Sequence, residues 1–236
     1  MYKRQEPDRP TGLVLVAEEQ DRWVLTLIGY DGHHPPADPD AFLAFVQTVA
    51  PPDVFDAIRD AEPLDDIVGY RFAANVRRRY DRLRRFPAGL LAVGDAVCST
   101  NPAYALGMSV AALQAAALRD TLAGGDRDLG RRFIRAAAKP AGVAWQLAVG
   151  GDLALPSVPG PRPLPVRLLN AYAGRVQAAA GRDPAIAERL LRVVSLQDPP
   201  TRLFRPSTAV PVLLRRPRRR PAPTVDAGTS LIGPCA

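Results

Sequence analysis

Apolar positions run in short aliphatic blocks through the first third of the chain and recur at helical spacing through the last half. Leu13, Val14, Leu15 and Val16, then Trp23 to Ile28, are two β-favouring runs separated by the charged segment 18–22, which predicts a β-hairpin over residues 11–29. Residues 30–39 form a loop rich in Gly, Pro and Asp. Asp38 followed by Pro39 is a helix start, and Phe42, Phe45, Val46 and Val49 follow at helical spacing until Pro51 and Pro52 end it; a short helix with Val54, Phe55 and Ile58 comes next. Residues 67–72 and 76–80 are candidate strands, and Leu90, Leu91, Ala92 and Val93 read as a buried one. A helix over 106–122 places Leu106, Val110, Leu113, Ala117 and Thr121 on one face.

Beyond it the pattern is helical throughout. One long segment spans 126–149 with a kink expected at Pro140. A Pro-rich connector at 156–165 follows, then a helix marked by Leu168, Tyr172 and Val176. Another opens at Asp183 and Pro184, holds Ile186, Leu190 and Val194, and stops at Pro199 and Pro200. Residues 215–236 are basic and Pro-rich, then small and polar, which predicts a disordered tail. Residues 1–5 are left out of the fold reading. The expected fold class is mixed α/β in an α+β layout, divided as 11–86, 87–125, 126–214 and 215–236.

Composition narrows the function classes. The 236 residues are 47% hydrophobic, enough for a sizeable core, and only 6% aromatic. The net charge of +7 lies mainly in two arginine-rich runs, 71–85 and 215–220. Such a balance suits nucleic acid, membrane lipid or an anionic cofactor, or simply a GC-rich coding bias. No aromatic platform accompanies the basic tail, so no specific nucleic-acid partner is expected. Cys98 and Cys235 are too few for a disulfide scaffold, and a reducing cytoplasm is the natural compartment. His33 and His34 are adjacent, sit in a Pro-rich loop and have no Cys pair nearby, so no metal site is expected. No apolar stretch is long enough to span a membrane, and residues 1–10 lack the apolar core of a secretory signal.

The segment 90–116, LLAVGDAVCSTNPAYALGMSVAALQAA, holds the candidate chemistry. An apolar run ends at Gly94 and Asp95, a loop containing Pro102 follows, and a helix starts near Gly107. Gly94 permits a sharp backbone turn. Asp95 can accept hydrogen bonds from ribose-like hydroxyls. The free amides opening the helix, at Gly107, Met108 and Ser109, can bind an anion or a carbonyl. The same residues also fit a turn that Asp95 merely caps, and chemistry alone leaves both readings open.

This segment, GDAVCSTNPAYALGM, resembles the second flavin motif of the aromatic-ring hydroxylase flavoproteins, the family of para-hydroxybenzoate hydroxylase, with Gly94, Asp95, Ala96, Pro102 and Gly107 at the matching positions. The resemblance implies that Asp95 binds a ribityl hydroxyl of FAD, that Pro102 lies beside the isoalloxazine ring, and that the Met108 and Ser109 amides face its pyrimidine end. A positive helix end there would stabilise the anionic reduced flavin. More weakly, 13–28 resembles the sheet roofing the active site in that family, and 71–95 the return to the flavin domain. The implied fold is a partial FAD-binding Rossmann-like fold with an antiparallel substrate-domain sheet and a helical C-terminal half. The implied activity is an FAD monooxygenase with NAD(P)H as reductant and an apolar, aromatic or polyene small molecule as substrate. A polyprenyl reductase of the same fold, or a non-enzymatic chain whose basic tail binds an acidic partner, are the alternatives.

The sequence departs from the family in several places. Ala105 stands where a glycine is usual, which costs roughly 1 kcal/mol if that residue needs positive φ. Cys98 stands where a histidine is usual and reads as a small packing residue. No G-x-G-x-x-G follows a strand, since Gly124, Gly125 and Gly130 come after a helix. The family's central Asp-Gly motif is missing too. The expectation is a chain that starts inside the substrate-domain sheet, folds poorly alone and binds FAD weakly. Trp23, Tyr104 and Trp145 are candidate pocket residues, with Trp145 also suited to the core. The arginines at 71–85 suit a pyrophosphate or a solvated face. No catalytic acid or base stands out.

Overall fold

The structure, a computed structural model, describes residues 2–6, 9–30 and 32–214. The tail expected at 215–236, Cys235 included, lies outside them. Among the described residues the fold is mixed α+β, with seven α-helices and two small antiparallel sheets. The chain divides into two compact units, one up to Arg71 and one from Phe72.

The first unit is a sheet covered by helices. The expected hairpin forms from β2 (Arg9–Glu18) and β3 (Arg22–Gly29). Its loop takes left-handed backbone at Gln20 and Asp21, with φ of 63° and 54°. The pairing register sets Leu13 opposite Leu27 and Leu15 opposite Leu25. Because side chains alternate across a strand, these four share one face. That face meets Val46, Val49, Phe42 and Phe45 of α1 (Pro39–Val49) and Val54, Phe55 and Ile58 of α2 (Pro52–Arg59). The Asp38 carboxylate caps α1 by accepting from the Ala41 amide at 3.0 Å. The sheet holds one strand more than the hydrophobic pattern predicts: β1 (Tyr2–Glu6), antiparallel to β2. The charged segment at its start offers no apolar alternation, and it is the neighbouring edge of β2 that makes it a strand.

Two strand expectations fail for want of partners. Residues 67–72 form no strand, and Val68 and Tyr70 are 88% and 79% exposed. Of 76–80, only Val76–Arg77 is a strand (β4), paired with Cys98–Ser99 (β5) through Val76 opposite Ser99 and Arg77 opposite Cys98. Residues 90–93 are not the buried strand expected. Val93 is extended (φ −134°, ψ 158°), but among the described residues no neighbour supplies a ladder, and only Ala92 is buried, while Leu90, Leu91 and Val93 are exposed. An aliphatic run sets extended backbone; burial requires a second strand alongside.

The second unit is built on α3 (Gly107–Leu122) packed along α4 (Leu129–Asp152), which continues unbroken through Pro140. Its core joins Ala92, Val97, Cys98, Leu106 and Val110 to Ile134, Ala141, Ala144 and Ala148. The alanines of α4 recur at helical spacing and let the preceding loops close onto the helix. The inward face of α3 is the expected one only in its first two residues. Leu106, Val110 and Gln114 are buried, while Leu113 is exposed and lines a shallow groove with Ala117 and Thr121. A second core, Val176, Ile186 and Val212, ties α5 (Leu164–Ala180) and α6 (Pro184–Val194) to α7 (Pro206–Leu214). The pattern predicts the first two of these helices but neither α7 nor the 3₁₀ turn at Pro200–Phe204. Among the described residues no helix is long and apolar enough to cross a membrane, and no cluster of His, Cys, Asp and Glu could hold a metal ion.

Candidate functional site

The segment from Gly94 to Ser109 is a chain of tight turns ending in a long helix. Gly94 adopts φ +58° and opens a 3₁₀ turn, Gly94–Ala96. A β-carbon added there would meet nothing nearer than Ala111 Cβ at 3.9 Å, so the requirement for glycine is one of backbone conformation rather than space. A second 3₁₀ turn, Pro102–Tyr104, begins at Asn101, whose side-chain oxygen accepts from the Ala103 amide at 3.0 Å. Ala105 then takes the left-handed conformation, φ 54° and ψ 34°, before α3 begins. An alanine pays a steric penalty there that glycine would not.

The turn sequence brings the predicted residues to one place. Asp95 is exposed, and its Oδ1 lies 3.7 Å from where a β-carbon would sit on Gly107. Its Oδ2 accepts from the Ser99 hydroxyl at 3.2 Å. Residue Leu106, at the cap of α3, makes no side-chain capping bond. The first-turn amides, those of Gly107, Met108 and Ser109, are the ones an α-helix leaves without an intrahelical acceptor. Met108 is 86% exposed, and Pro102 is exposed. An outward carboxylate and an outward helix N-terminus therefore stand side by side, one an acceptor and the other a donor with partial positive charge.

Polar side chains distant in sequence hold this arrangement. Gln114, wholly buried in α3, accepts from the Gly94 amide at 2.6 Å through Oε1 and donates Nε2 to the Ala137 carbonyl at 3.2 Å. Asp152, the last residue of α4, accepts from Tyr104 Oη at 2.6 Å and from Asn75 Nδ2. Asn75 Oδ1 in turn accepts from the Asn101 amide at 2.7 Å. Gly151 lies against the Tyr104 ring, where an added β-carbon would come within 2.7 Å. Sequence reading misses Gln114, Asn75 and Asp152. The one signal for Gln114 is an amide side chain at the position of a helix face otherwise filled by Leu106 and Val110.

The remaining candidates fall into place individually. Cys98 is buried, its Sγ 3.7 Å from the Ala141 carbonyl, and burial pushes its thiol pKa up, away from the thiolate that redox chemistry requires. Trp145 packs against the α3–α4 core. Trp23 is 36% exposed on the sheet of the other unit. In the arginine run, Arg77 donates to the Ala138 carbonyl and Arg78 to the Asp95 carbonyl, each at 3.4 Å, and Arg79 pairs with Asp81 at 2.7 Å. His33 is exposed and contacts the Tyr30 carbonyl; neither histidine lies in the unit that holds Asp95.

This chain is similar to Protein Rv3254 of Mycobacterium tuberculosis. The two are 34% identical over 197 residues, an alignment covering 81% of this chain and 41% of that protein. The chain thus spans less than half the length of this relative. No family model matches the chain.

Proposed function

We propose that this chain is the flavin-contact and C-terminal portion of an FAD-dependent monooxygenase-like oxidoreductase, with NAD(P)H as reductant and an apolar aromatic or polyene molecule as substrate. The observation that supports it is the pairing of the exposed Asp95 carboxylate with the uncapped start of α3, held by a left-handed Gly94 and a left-handed Ala105. A ribityl chain needs a hydroxyl acceptor, and a flavin pyrimidine needs donors next to it. These residues provide the two within one short segment. In this reading the flavin-contact segment belongs to a partial Rossmann-like FAD-binding fold.

The fit covers the riboflavin half of the cofactor. Asp95 would accept from a ribityl hydroxyl, Pro102 would lie beside the ring system, and the Gly107, Met108 and Ser109 amides would face the ring carbonyls. When bound, FAD would supply hydride acceptance and oxygen activation. The chain's own part is to hold and orient: Gln114 fixes the turn at Gly94, and Asp152 and Asn75 fix the turn at Asn101. Arg78, exposed and bonded to the Asp95 carbonyl, adds a cation beside the motif.

Titrating FAD with the purified chain and following flavin fluorescence tests this reading. Asp95→Ala should weaken binding about tenfold, the loss expected for one hydrogen bond to a charged acceptor. Equal affinity in the variant, or no binding by the unaltered chain at high protein concentration, would overturn it.

A further inference from the structure

Three consecutive arginines follow Val76, and the pairing of β4 with β5 sends them different ways. Val76 stands opposite Ser99 and Arg77 opposite Cys98, and the Arg78 amide extends the ladder by donating to the Val97 carbonyl at 2.9 Å. Side chains alternate along a strand, so Val76 and Arg78 share a face with Ser99, and Arg77 turns to the other with Cys98. The contacts agree. Arg77 donates to the Ala138 carbonyl of α4 and lies against Gly142. Arg79 grips the Asp81 carboxylate with two nitrogens, at 2.9 Å and 2.7 Å. Arg78 stays exposed, on the side where the Ser99 hydroxyl meets the Asp95 carboxylate.

Of the three, Arg78 is the uncommitted one. Its side-chain hydrogen bond is the 3.4 Å contact with the Asp95 carbonyl, and among the described residues no carboxylate lies within ion-pair distance of it. Most of its N–H donors are therefore open. The bond to the Asp95 carbonyl holds this cation at the turn that presents the Asp95 carboxylate. That carboxylate repels any phosphate brought near it, and a cation on the same turn offsets the repulsion. A guanidinium also matches phosphate oxygens two at a time, which an ammonium does not.

We infer that Arg78 selects flavins that carry a phosphate on the ribityl chain, its guanidinium taking the phosphate while Asp95 takes a ribityl hydroxyl. The inference rests on the flavin reading of this site and adds the residue that tells a flavin phosphate from riboflavin. Hydroxyls and phosphate lie on one short chain in FMN, and FAD carries the same phosphate as the nearer of its two. A purely structural Arg78, one that only clamps the Asp95 carbonyl, would support every flavin alike.

Parallel fluorescence titrations of the full chain with FMN and with riboflavin test it. The unaltered chain should bind FMN about tenfold more tightly than riboflavin, the gain expected for a charge-assisted hydrogen bond at an exposed site. Added salt should shrink that ratio and leave riboflavin affinity unchanged. Arg78→Gln should bring the ratio to about one by weakening FMN alone, and Arg78→Lys should keep part of it. Arg79→Gln should leave the ratio as it is, because that guanidinium is already held by Asp81. Equal affinity of the unaltered chain for the two flavins would overturn the inference and leave the flavin reading standing. So would an Arg78→Gln variant that weakens both flavins equally or keeps the preference for FMN. Binding of neither flavin would overturn the flavin reading and this inference with it.

Discussion

Val176, Ile186 and Val212 meet in an apolar core contributed by three helices, and Tyr172, Leu190 and Leu203 close around them. The stretch from Gly94 to Ser109, in the same unit, is held differently. It contains two 3₁₀ turns, two left-handed residues and little regular structure before α3, and its geometry depends on Gln114, Asn75 and Asp152 reaching in from elsewhere. Apolar burial is non-directional and tolerates small shifts. Hydrogen bonds to single amides and hydroxyls fix a backbone to within tenths of an ångström. A region that must present a carboxylate and a helix N-terminus side by side calls for the second kind of support, and a layer that only has to stay folded is served by the first.

Truncating each kind of support should separate stability from site geometry. Ile186→Ala, in the helical core, should cost about 3–4 kcal/mol in urea unfolding while leaving amide exchange at Gly94 protected until the unit unfolds globally. Gln114→Leu leaves the Gly94 amide and the Ala137 carbonyl without their partner, and should cost about 3 kcal/mol. It should also raise exchange at Gly94 under native conditions. Equal local protection in the two variants would erase the contrast drawn between the regions.

A smaller effect sharpens the same point. Tyr104→Phe and Asp152→Asn each disturb one end of a 2.6 Å hydrogen bond, and a double-mutant cycle should give a coupling of about 1 kcal/mol. Additive losses would mean that the Tyr104–Asp152 bond adds nothing to the packing of Tyr104 against Gly151 and the hydrogen bonds at Asn101. The smallest change runs in the opposite direction: Ala105→Gly should stabilise the chain by up to about 1 kcal/mol, because φ 54° strains alanine and not glycine. A loss of stability on that substitution would show that the unfolded-chain entropy of glycine outweighs the relief of strain.

Much of the regular structure was legible in the pattern of residues. The hairpin, α1 with its Asp38 cap, α3, α5 and α6 all rest on short-range rules: alternation, three-to-four spacing, and an Asp-Pro pair before an apolar run. Gly94 was legible as a turn position for the same reason, since positive φ is a local property, whereas Ala105 was marked only by the glycine usual at that position in the family the segment resembles. The inward phase of α3 was not legible: a glutamine scores as polar until two backbone groups are placed beside it. Strands at 67–72 and 90–93 were over-read, because β-propensity describes a residue's fitness for a sheet and a sheet also needs a neighbour. Strand β1 was missed for the converse reason.

The sequence by itself determined where the chain turns, which segments coil, and that Gly94, Asp95, Pro102 and Gly107 fall within one short stretch. Tertiary structure decided that Asp95 faces outward beside the start of α3, that Cys98 is buried under Ala141, and that Gln114 and Asp152 are supports rather than surface polar groups. The division follows from range. Backbone dihedrals and capping act over a few neighbouring residues, whereas a long-range, part-buried hydrogen bond joins groups such as Asn75 and Asp152 that only folding brings within reach.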